Sequence, residues 1–114
     1  MVLKPGPAKR LIITVSESDR WHGHAVFNAL LELFRREELA GATVSRGIAG
    51  FTGHGSIHTT SLVELSSDLP VRIEIVDTAE AIERVLPQVS EMVSRGLVEV
   101  QDTTVVKFAG GNDR

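Results

Sequence analysis

The sequence predicts an α+β domain in which four strands and two helices follow one another in the order β-α-β-β-α-β. Two observations carry this prediction. Apolar residues recur with the 3.6-residue period of a helix in two segments, and β-branched runs or strict alternation mark the strands. A chain of 114 residues, 42% of them hydrophobic, is long enough for one core and too short for two.

The first part of the chain reads as strand, helix, strand. Residues 11–15 are a β-branched run that stops at the polar cluster 16–19. A helix is predicted over residues 24–39, with Gly41 placed to cap its C-terminal end. Its apolar stripe consists of Val26, Leu30, Leu33 and Phe34. Residues 42–48 then alternate in the manner of a second strand.

Glycines interrupt the middle of the chain. Residues 49–60 hold three glycines within six positions, which predicts a loop. Residues 61–65 are predicted as a short extended piece. Residues 71–76 alternate strictly between apolar and charged, so they form a third strand that directs Arg72 and Glu74 toward solvent or a partner.

A second helix and a last strand complete the order. Residues 77–80 (DTAE) match a capping box, in which the first side chain and the glutamate three residues later satisfy free backbone N–H groups. Helical spacing continues across Pro87, read as a kink, up to Gly96. The last strand has two pieces, residues 97–100 and 103–107, with a bend or break left open between them.

This order predicts a ferredoxin-like fold, an antiparallel four-stranded sheet with both helices on one face. The domain is expected over residues 10–108, with flexible tails at residues 1–9 and 109–114. If alternate strand residues make the uncovered sheet face apolar, another copy of the chain must cover it, so we expect an oligomer.

Composition narrows the range of partners and locations. Twelve Lys and Arg against fifteen Asp and Glu give a net charge of −3, which argues against nucleic acid as the main partner. The absence of cysteine excludes disulfides, thiolate metal sites and thiol nucleophiles. We find neither the apolar core of a secretory signal nor a run of membrane-spanning length, so a cytoplasmic location is the default expectation.

Residues 46–59 are the best candidates for ligand binding. Glycines in this stretch let backbone N–H groups approach an anion, and Arg46 beside them can bind a phosphate. They are Gly47, Gly50, Gly53 and Gly55. The stretch matches neither a dinucleotide fingerprint nor a P-loop, so a plain connecting loop stays open as the alternative.

Four histidines occur as two closely spaced pairs, His22 with His24 and His54 with His58. Neither pair has an acidic or cysteine partner fixed nearby, so metal binding is only one reading. His54 and His58 can instead hydrogen-bond a ligand's phosphate or the loop backbone. A metal-responsive protein that uses these two loop histidines stays open as an alternative.

The sequence offers no catalytic residue. Residues 55–58 (GSIH) supply a hydroxyl and an imidazole without an acid to orient them, and no nucleophile elbow is present. We therefore expect a protein that is not an enzyme, with a small hydrolase built at a subunit interface as the alternative. Glu17, Asp19 and Arg20 follow the first strand, where they can either read a ligand's edge or form a capped turn, and Trp21 is assigned to packing.

Seven motifs, in order along residues 10–106, resemble the PII-like group catalogued as domain of unknown function 190. They are residues 16–20 (SESDR), 40–44 (AGATV), 46–51 (RGIAGF), 57–58 (IH), 65–70 (LSSDLP), 73–77 (IEIVD) and 92–93 (MV). The resemblance implies a ferredoxin-like subunit that assembles as a trimer, akin to the nitrogen-regulatory PII proteins. It also implies adenine nucleotides in the clefts between subunits and a signalling loop between the second and third strands.

Carried over residue by residue, the resemblance assigns Gly47, Gly50 and Phe51 to the base of that loop. It places four further residues in the loop itself: Gly53, His54, Gly55 and His58. Two departures are visible: the loop is shorter than a PII signalling loop and lacks its tyrosine, and residues 94–96 (SRG) replace the longer phosphate-gripping turn of PII.

The expected protein is thus a regulatory homotrimer that binds a small anionic ligand, for which the resemblance implies an adenine nucleotide. Its ligand residues are expected to be Arg46 and the glycines, Phe51 and histidines named above, with residues 50–58 as the switch. Some relatives are encoded beside fluoride-export channels, so the resemblance also implies a membrane channel or transporter as partner.

Overall fold

The computed structural model describes residues 2–51, 56–59 and 68–109 of the chain. Its elements, in chain order, are β1 Gly6–Ser16, β2 Arg20–Trp21, β3 His24–Ala25, α1 Val26–Arg36, β4 Thr43–Arg46, β5 Ala49–Gly50, β6 His58–Thr59, β7 Pro70–Asp77, α2 Ala79–Met92 and β8 Leu97–Val105. Four of these strands form one antiparallel sheet in the order β4-β7-β1-β8. Two helices and four antiparallel strands in this order confirm the predicted ferredoxin-like fold.

One face of the sheet and both helices enclose the core. Alternate residues of β1 and β7 point toward the helices, as the period of two requires. The largest of the fully buried side chains are Leu11, Ile13, Leu30, Leu33, Phe34, Leu69, Ile73, Ile75 and Ile82. Each contributes roughly 1.5–3 kcal/mol by leaving water, so this layer supplies most of the stability of the fold.

The other face of the sheet is predominantly charged and polar, which differs from the apolar face that the sequence analysis considered. Arg10 donates to Glu74 across neighbouring strands at 3.1 Å, and Arg72 pairs with the same carboxylate at 3.5 Å. On the same face, Ile12 lies opposite Glu74 in the strand register and is buried, whereas Leu97 on β8 is exposed. The burial of apolar surface therefore gives little reason to expect that a second copy of the chain covers this face.

Strand β1 begins earlier than predicted. Residues 6–9, which the sequence analysis assigned to a tail, belong to the sheet and pair with β8 from Gly6 opposite Val105 onward. Pro7 is tolerated because β7 ends at Asp77, opposite Lys9, so the first residues of β1 have a neighbour on one side only.

Both helices are shorter than predicted. Helix α1 ends at Arg36, and the left-handed residue beyond it is Glu38, with φ of 60°, so Gly41 is not its cap. Helix α2 is capped by Thr78, whose hydroxyl accepts a hydrogen bond from the Ala81 N–H at 3.1 Å. The predicted capping box is therefore one residue out of register, and the helix ends at Met92 rather than at Gly96.

Asp77, the residue assigned to the first position of that box, has a structural role instead. Its buried carboxylate accepts hydrogen bonds from the backbone N–H groups of Ala40 and Thr78, each at 2.7 Å. It thereby ties the end of β7 to the segment that leads into β4. Helix α2 continues past Pro87, which therefore does not end it, as predicted, while the kink at Pro87 stays a prediction.

Strand β8 is continuous across residues 101–102, so the break that was left open there does not occur. Asp102 lies within it, opposite Lys9, and accepts a hydrogen bond from the Lys9 ammonium. This hydrogen bond, reinforced by the attraction between opposite charges, raises the pKa of Lys9 and lowers the pKa of Asp102.

The middle of the chain is described only in part. The predicted loop over residues 49–60 contains two short strands, β5 and β6, which pair Ala49 with Thr59 and Gly50 with His58. The predicted extended piece at residues 61–65 lies outside the described residues. In the part of the chain that the structure describes, neither helix is long and apolar enough to cross a membrane.

Candidate functional site

The strand register gathers the candidate residues at one end of the sheet. Ser16 at the end of β1 lies opposite Pro70 at the start of β7, and Arg46 at the end of β4 lies opposite Val71. Thr14 lies opposite Leu97, so β8 starts at this end as well. The connections that follow β1 and β4, and those that precede β7 and β8, therefore meet here. We call this the site end of the sheet.

Gly47 and Gly50 are held against Pro70. The Gly47 N–H donates to the Pro70 carbonyl at 2.7 Å. A Cβ atom at Gly47 would come within 2.9 Å of the Pro70 ring, and one at Gly50 within 3.0 Å. Close packing against Pro70 thus explains why glycine is needed at both positions. The predicted contact of Gly47 and Gly50 with a ligand stays a prediction.

Arg46 is anchored by an acidic residue from the neighbouring connection. Its Nε lies 3.2 Å from Oε2 of Glu17, whose own N–H donates to the Leu69 carbonyl at 2.9 Å. The Arg46 side chain is 57% exposed and that of Glu17 only 18%. The guanidinium is therefore oriented from one side while much of it stays open to a ligand.

The rest of the predicted ligand set is described only in part. Phe51 is exposed, as are Ile48 and Ile57 on either side of the β5–β6 pair. The backbone of His58 pairs with Gly50 in that ladder. The remaining predicted ligand residues, Gly53, His54 and Gly55, lie outside the described residues.

A polar pocket of about 280 Å³ opens at the site end between the turn after β1 and the end of α2. It is lined by Ser18, Asp19, Arg20, Val26, Met92, Val93, Ser94 and Arg95. Asp19 is held in place at this pocket, because its Oδ2 accepts the Ser16 N–H at 3.1 Å and its carbonyl accepts the Val26 N–H at 2.8 Å. Arg95 lies 4.0 Å from the other oxygen of Asp19, and its side chain is 77% exposed.

Sequence reasoning missed the contribution of Ser94 and Arg95 to this pocket. It singled out Asp19 and Arg20, but treated residues 94–96 only as a departure from the phosphate-gripping turn of PII. The β-α-β-β-α-β order itself carried the missing signal, since the end of α2 must return to the start of β8, next to the end of β1. Two arginines and two hydroxyls face a single carboxylate, that of Asp19, so the charge of the lining is positive on balance and suits an anionic ligand.

Trp21 and His22 contact each other. The ring of His22 stacks on Trp21 with centroids 4.1 Å apart, and Trp21 packs against the core, as assigned. Among residues 2–51, 56–59 and 68–109, no three ligating side chains converge to hold a metal ion. The metal alternative uses His54, which lies outside the described residues, so it stays a prediction.

Two comparisons with known sequences concern nearly the whole chain. The profile of the DUF190 family, described as "Uncharacterized ACR, COG1993", matches residues 8–105. The UPF0166 protein MJ1524 of Methanocaldococcus jannaschii is 38% identical over 101 residues, which cover 88% of this chain and 93% of that protein. A UPF0166 protein of Aquifex aeolicus is 37% identical over 98 residues, covering 86% and 92% of the two chains.

Solved structures with a similar fold are PII-like proteins. CPII from Thiomonas intermedia K12, bound to ADP and bicarbonate, superposes with a TM-score of 0.66 at 21% identity, covering 92% of this chain and 94% of CPII. A PII-like signalling protein from Thermus thermophilus superposes with a TM-score of 0.65 at 18% identity, covering 91% and 94%. Similarity at this level of identity establishes a common fold and leaves function to be argued from the site.

Proposed function

Because this chain belongs to the DUF190 family and shares its fold with PII-like proteins, we propose that it is a non-enzymatic regulatory protein of the PII-like kind. In this proposal it forms a homotrimer and binds an adenine nucleotide in the cleft between neighbouring subunits. The observation that carries the proposal is the arginine-lined pocket at the site end, in a fold that holds ADP in CPII.

The nucleotide's phosphates are the groups that the pocket suits. Arg20 and Arg95 bring guanidinium donors and Ser18 and Ser94 bring hydroxyls, which together can neutralise and hydrogen-bond phosphate oxygens. Arg95 is favourably placed for this role, since its one described ion-pair contact, to Asp19, is long at 4.0 Å. Arg46 supplies a third guanidinium at the same end of the sheet.

Residues 50–58 are the proposed switch, and a membrane channel or transporter is the proposed partner. The Gly47 N–H donates a hydrogen bond to the Pro70 carbonyl, which anchors the base of this segment. A conformational change on ligand binding would therefore be confined to residues 50–58. Fixing the backbone of one residue costs roughly 1–2 kcal/mol in conformational entropy. Ligand contacts that offset this cost would favour one conformation of the segment over the others. Phe51 and Ile57 are exposed and would change what a partner meets.

Isothermal titration calorimetry with AMP, ADP, ATP, cyclic AMP and cyclic di-AMP tests the proposal. We expect at least one of them to bind at one molecule per chain. Arg95→Gln and Arg20→Gln should each weaken binding by about 10–100-fold, because each removes a charged hydrogen bond to phosphate. Arg84→Gln is the matched control, since Arg84 pairs with Glu37 away from the site end. No heat and no thermal shift with any of the five at millimolar concentration would reject nucleotide binding.

A further inference from the structure

The four-stranded sheet has two edge strands, each with a neighbour on one side only. The order β4-β7-β1-β8 places β4 at one edge and β8 at the other. Among residues 2–51, 56–59 and 68–109, no strand pairs with the outer edge of either. Such an edge presents a row of backbone N–H and C=O groups with which another strand can pair.

Strand β8 lacks most of the features by which proteins block an edge. It is nine residues long and pairs with β1 along its whole length without a bulge. It contains no proline, glycine or lysine, and only Glu99 and Asp102 in it are charged. Leu97 and Val100 are exposed, at 53% and 42%. A long, regular edge with exposed apolar side chains is typical of a surface that pairs with another strand.

Strand β4 suits β8 as a partner in direction and in charge. Because β8 begins at the site end and β4 ends there, the two strands run in opposite directions. A rotation about an axis parallel to the strands therefore brings β4 of one copy beside β8 of the next as an antiparallel neighbour, with the site ends together. Strand β8 carries two carboxylates and no basic residue, whereas β4 carries Arg46 and no acidic residue. Pairing of β8 with a second β8 would instead bring like charges together, which is unfavourable.

We propose that copies of this chain assemble edge to edge, with β8 of each copy pairing antiparallel with β4 of its neighbour. This inference rests on the homotrimer of the proposed function and names the surfaces that form it. The contact is heterologous, since two different edges meet, and it closes into a ring of three when the rotation between copies is a third of a turn. Ring closure covers both edges of every copy. It does so without requiring an apolar open face, in keeping with the ion pairs on that face.

Pairs of engineered thiols can report this contact, because the chain has no cysteine. Ser45 on β4 and Leu97 on β8 are both exposed. They lie in one row across the sheet, which passes through Arg72 and Thr14. Within one chain they are three strand spacings apart, roughly 14 Å, whereas in the proposed contact they belong to adjacent strands. We expect Ser45→Cys with Leu97→Cys, treated with a short bismaleimide, to give covalent dimers and trimers on a denaturing gel.

Two kinds of control accompany this pair. Ser45→Cys alone and Leu97→Cys alone should stay monomeric on the gel, because the proposed contact joins two different edges. Ser90→Cys with Leu97→Cys has the same number of thiols but places one of them on the exposed face of α2. It should give only the crosslinking that random collisions produce.

Sedimentation of the wild type separates the failures. A wild-type monomer would remove the proposed trimer, and this inference with it. A wild-type trimer whose Ser45 and Leu97 variant crosslinks no more than the Ser90 control would overturn the inference alone. Covalent dimers from Leu97→Cys alone would also overturn it, since they indicate that β8 pairs with β8. If a thermal melt shows that the double variant does not fold, Thr43→Cys with Glu99→Cys, in the next row on the same face, carries the same expectation.

Discussion

Gly96, immediately before β8, occupies a position that only glycine fits. Its φ is +120°, and a Cβ atom there would lie 2.2 Å from the Thr14 carbonyl oxygen. Since backbone on both sides is fixed by the sheet, Gly96→Ala should destabilise the protein by about 2–4 kcal/mol through strain and overpacking. Urea unfolding followed by circular dichroism measures this change.

Gly41→Ala is the control for that substitution. A Cβ atom at Gly41 has no neighbour within 4 Å, so the free energy of unfolding should change by less than about 1 kcal/mol. Equal stabilities of Gly96→Ala and Gly41→Ala would contradict the close contact between Gly96 and Thr14.

Single residues also show where sequence reasoning about the site stops. The glycine-rich stretch correctly drew attention to Gly47 and Gly50, but the neighbour they touch, Pro70, is twenty or more positions away in the sequence. Likewise, no local pattern indicates that Glu17 holds Arg46 or that Arg95 faces the turn after β1. These contacts depend on which strand ends meet, and that follows only from the assembled sheet.

Just beyond the C-terminal end of α1, a glutamate occupies a backbone position that favours glycine. The Leu39 N–H donates to the Phe34 carbonyl and the Glu38 N–H to the Arg35 carbonyl, the two hydrogen bonds of a Schellman motif. That motif places Glu38 in the left-handed region, where a side chain is strained. Glu38→Gly should therefore raise the free energy of unfolding by about 0.5–1 kcal/mol, after the entropy of glycine in the unfolded chain is subtracted.

Thermal and urea unfolding of Glu38→Gly measure this effect, with Glu32→Gly as the comparison. Glu32 lies within α1, so glycine there should cost about 1 kcal/mol. If both substitutions destabilise alike, the left-handed cap at Glu38 is not strained.

The type of each main helix and strand was predicted correctly more often than the residues at which it begins and ends. Apolar periodicity places helices and strands because it reports burial, and α1, α2, β1 and β7 all contain their predicted centres. Periodicity does not report where a helix ends, which is decided by caps such as Thr78 and by the left-handed turn at Glu38. Nor could it show that residues 6–9 extend β1, because that extension depends on pairing with β8.

For the whole molecule, element order was sufficient to predict the sheet topology and both helices on one face. Alternation within residues 71–76 correctly placed Arg72 and Glu74 on the open face, but it did not predict the ion pairs that Glu74 makes there with Arg10 and Arg72. The proposed trimer consequently rests on family membership and on a site that has much of its charged surface open, rather than on an apolar face that must be covered.

A crystal structure of the protein grown with ADP tests this account most directly. The account predicts three copies around a threefold axis, with each nucleotide between two subunits and its phosphates against Arg20 and Arg95 of one of them. A nucleotide held within a single subunit away from the site end, or a chain that crystallises with ADP bound and makes no threefold contact, would contradict it.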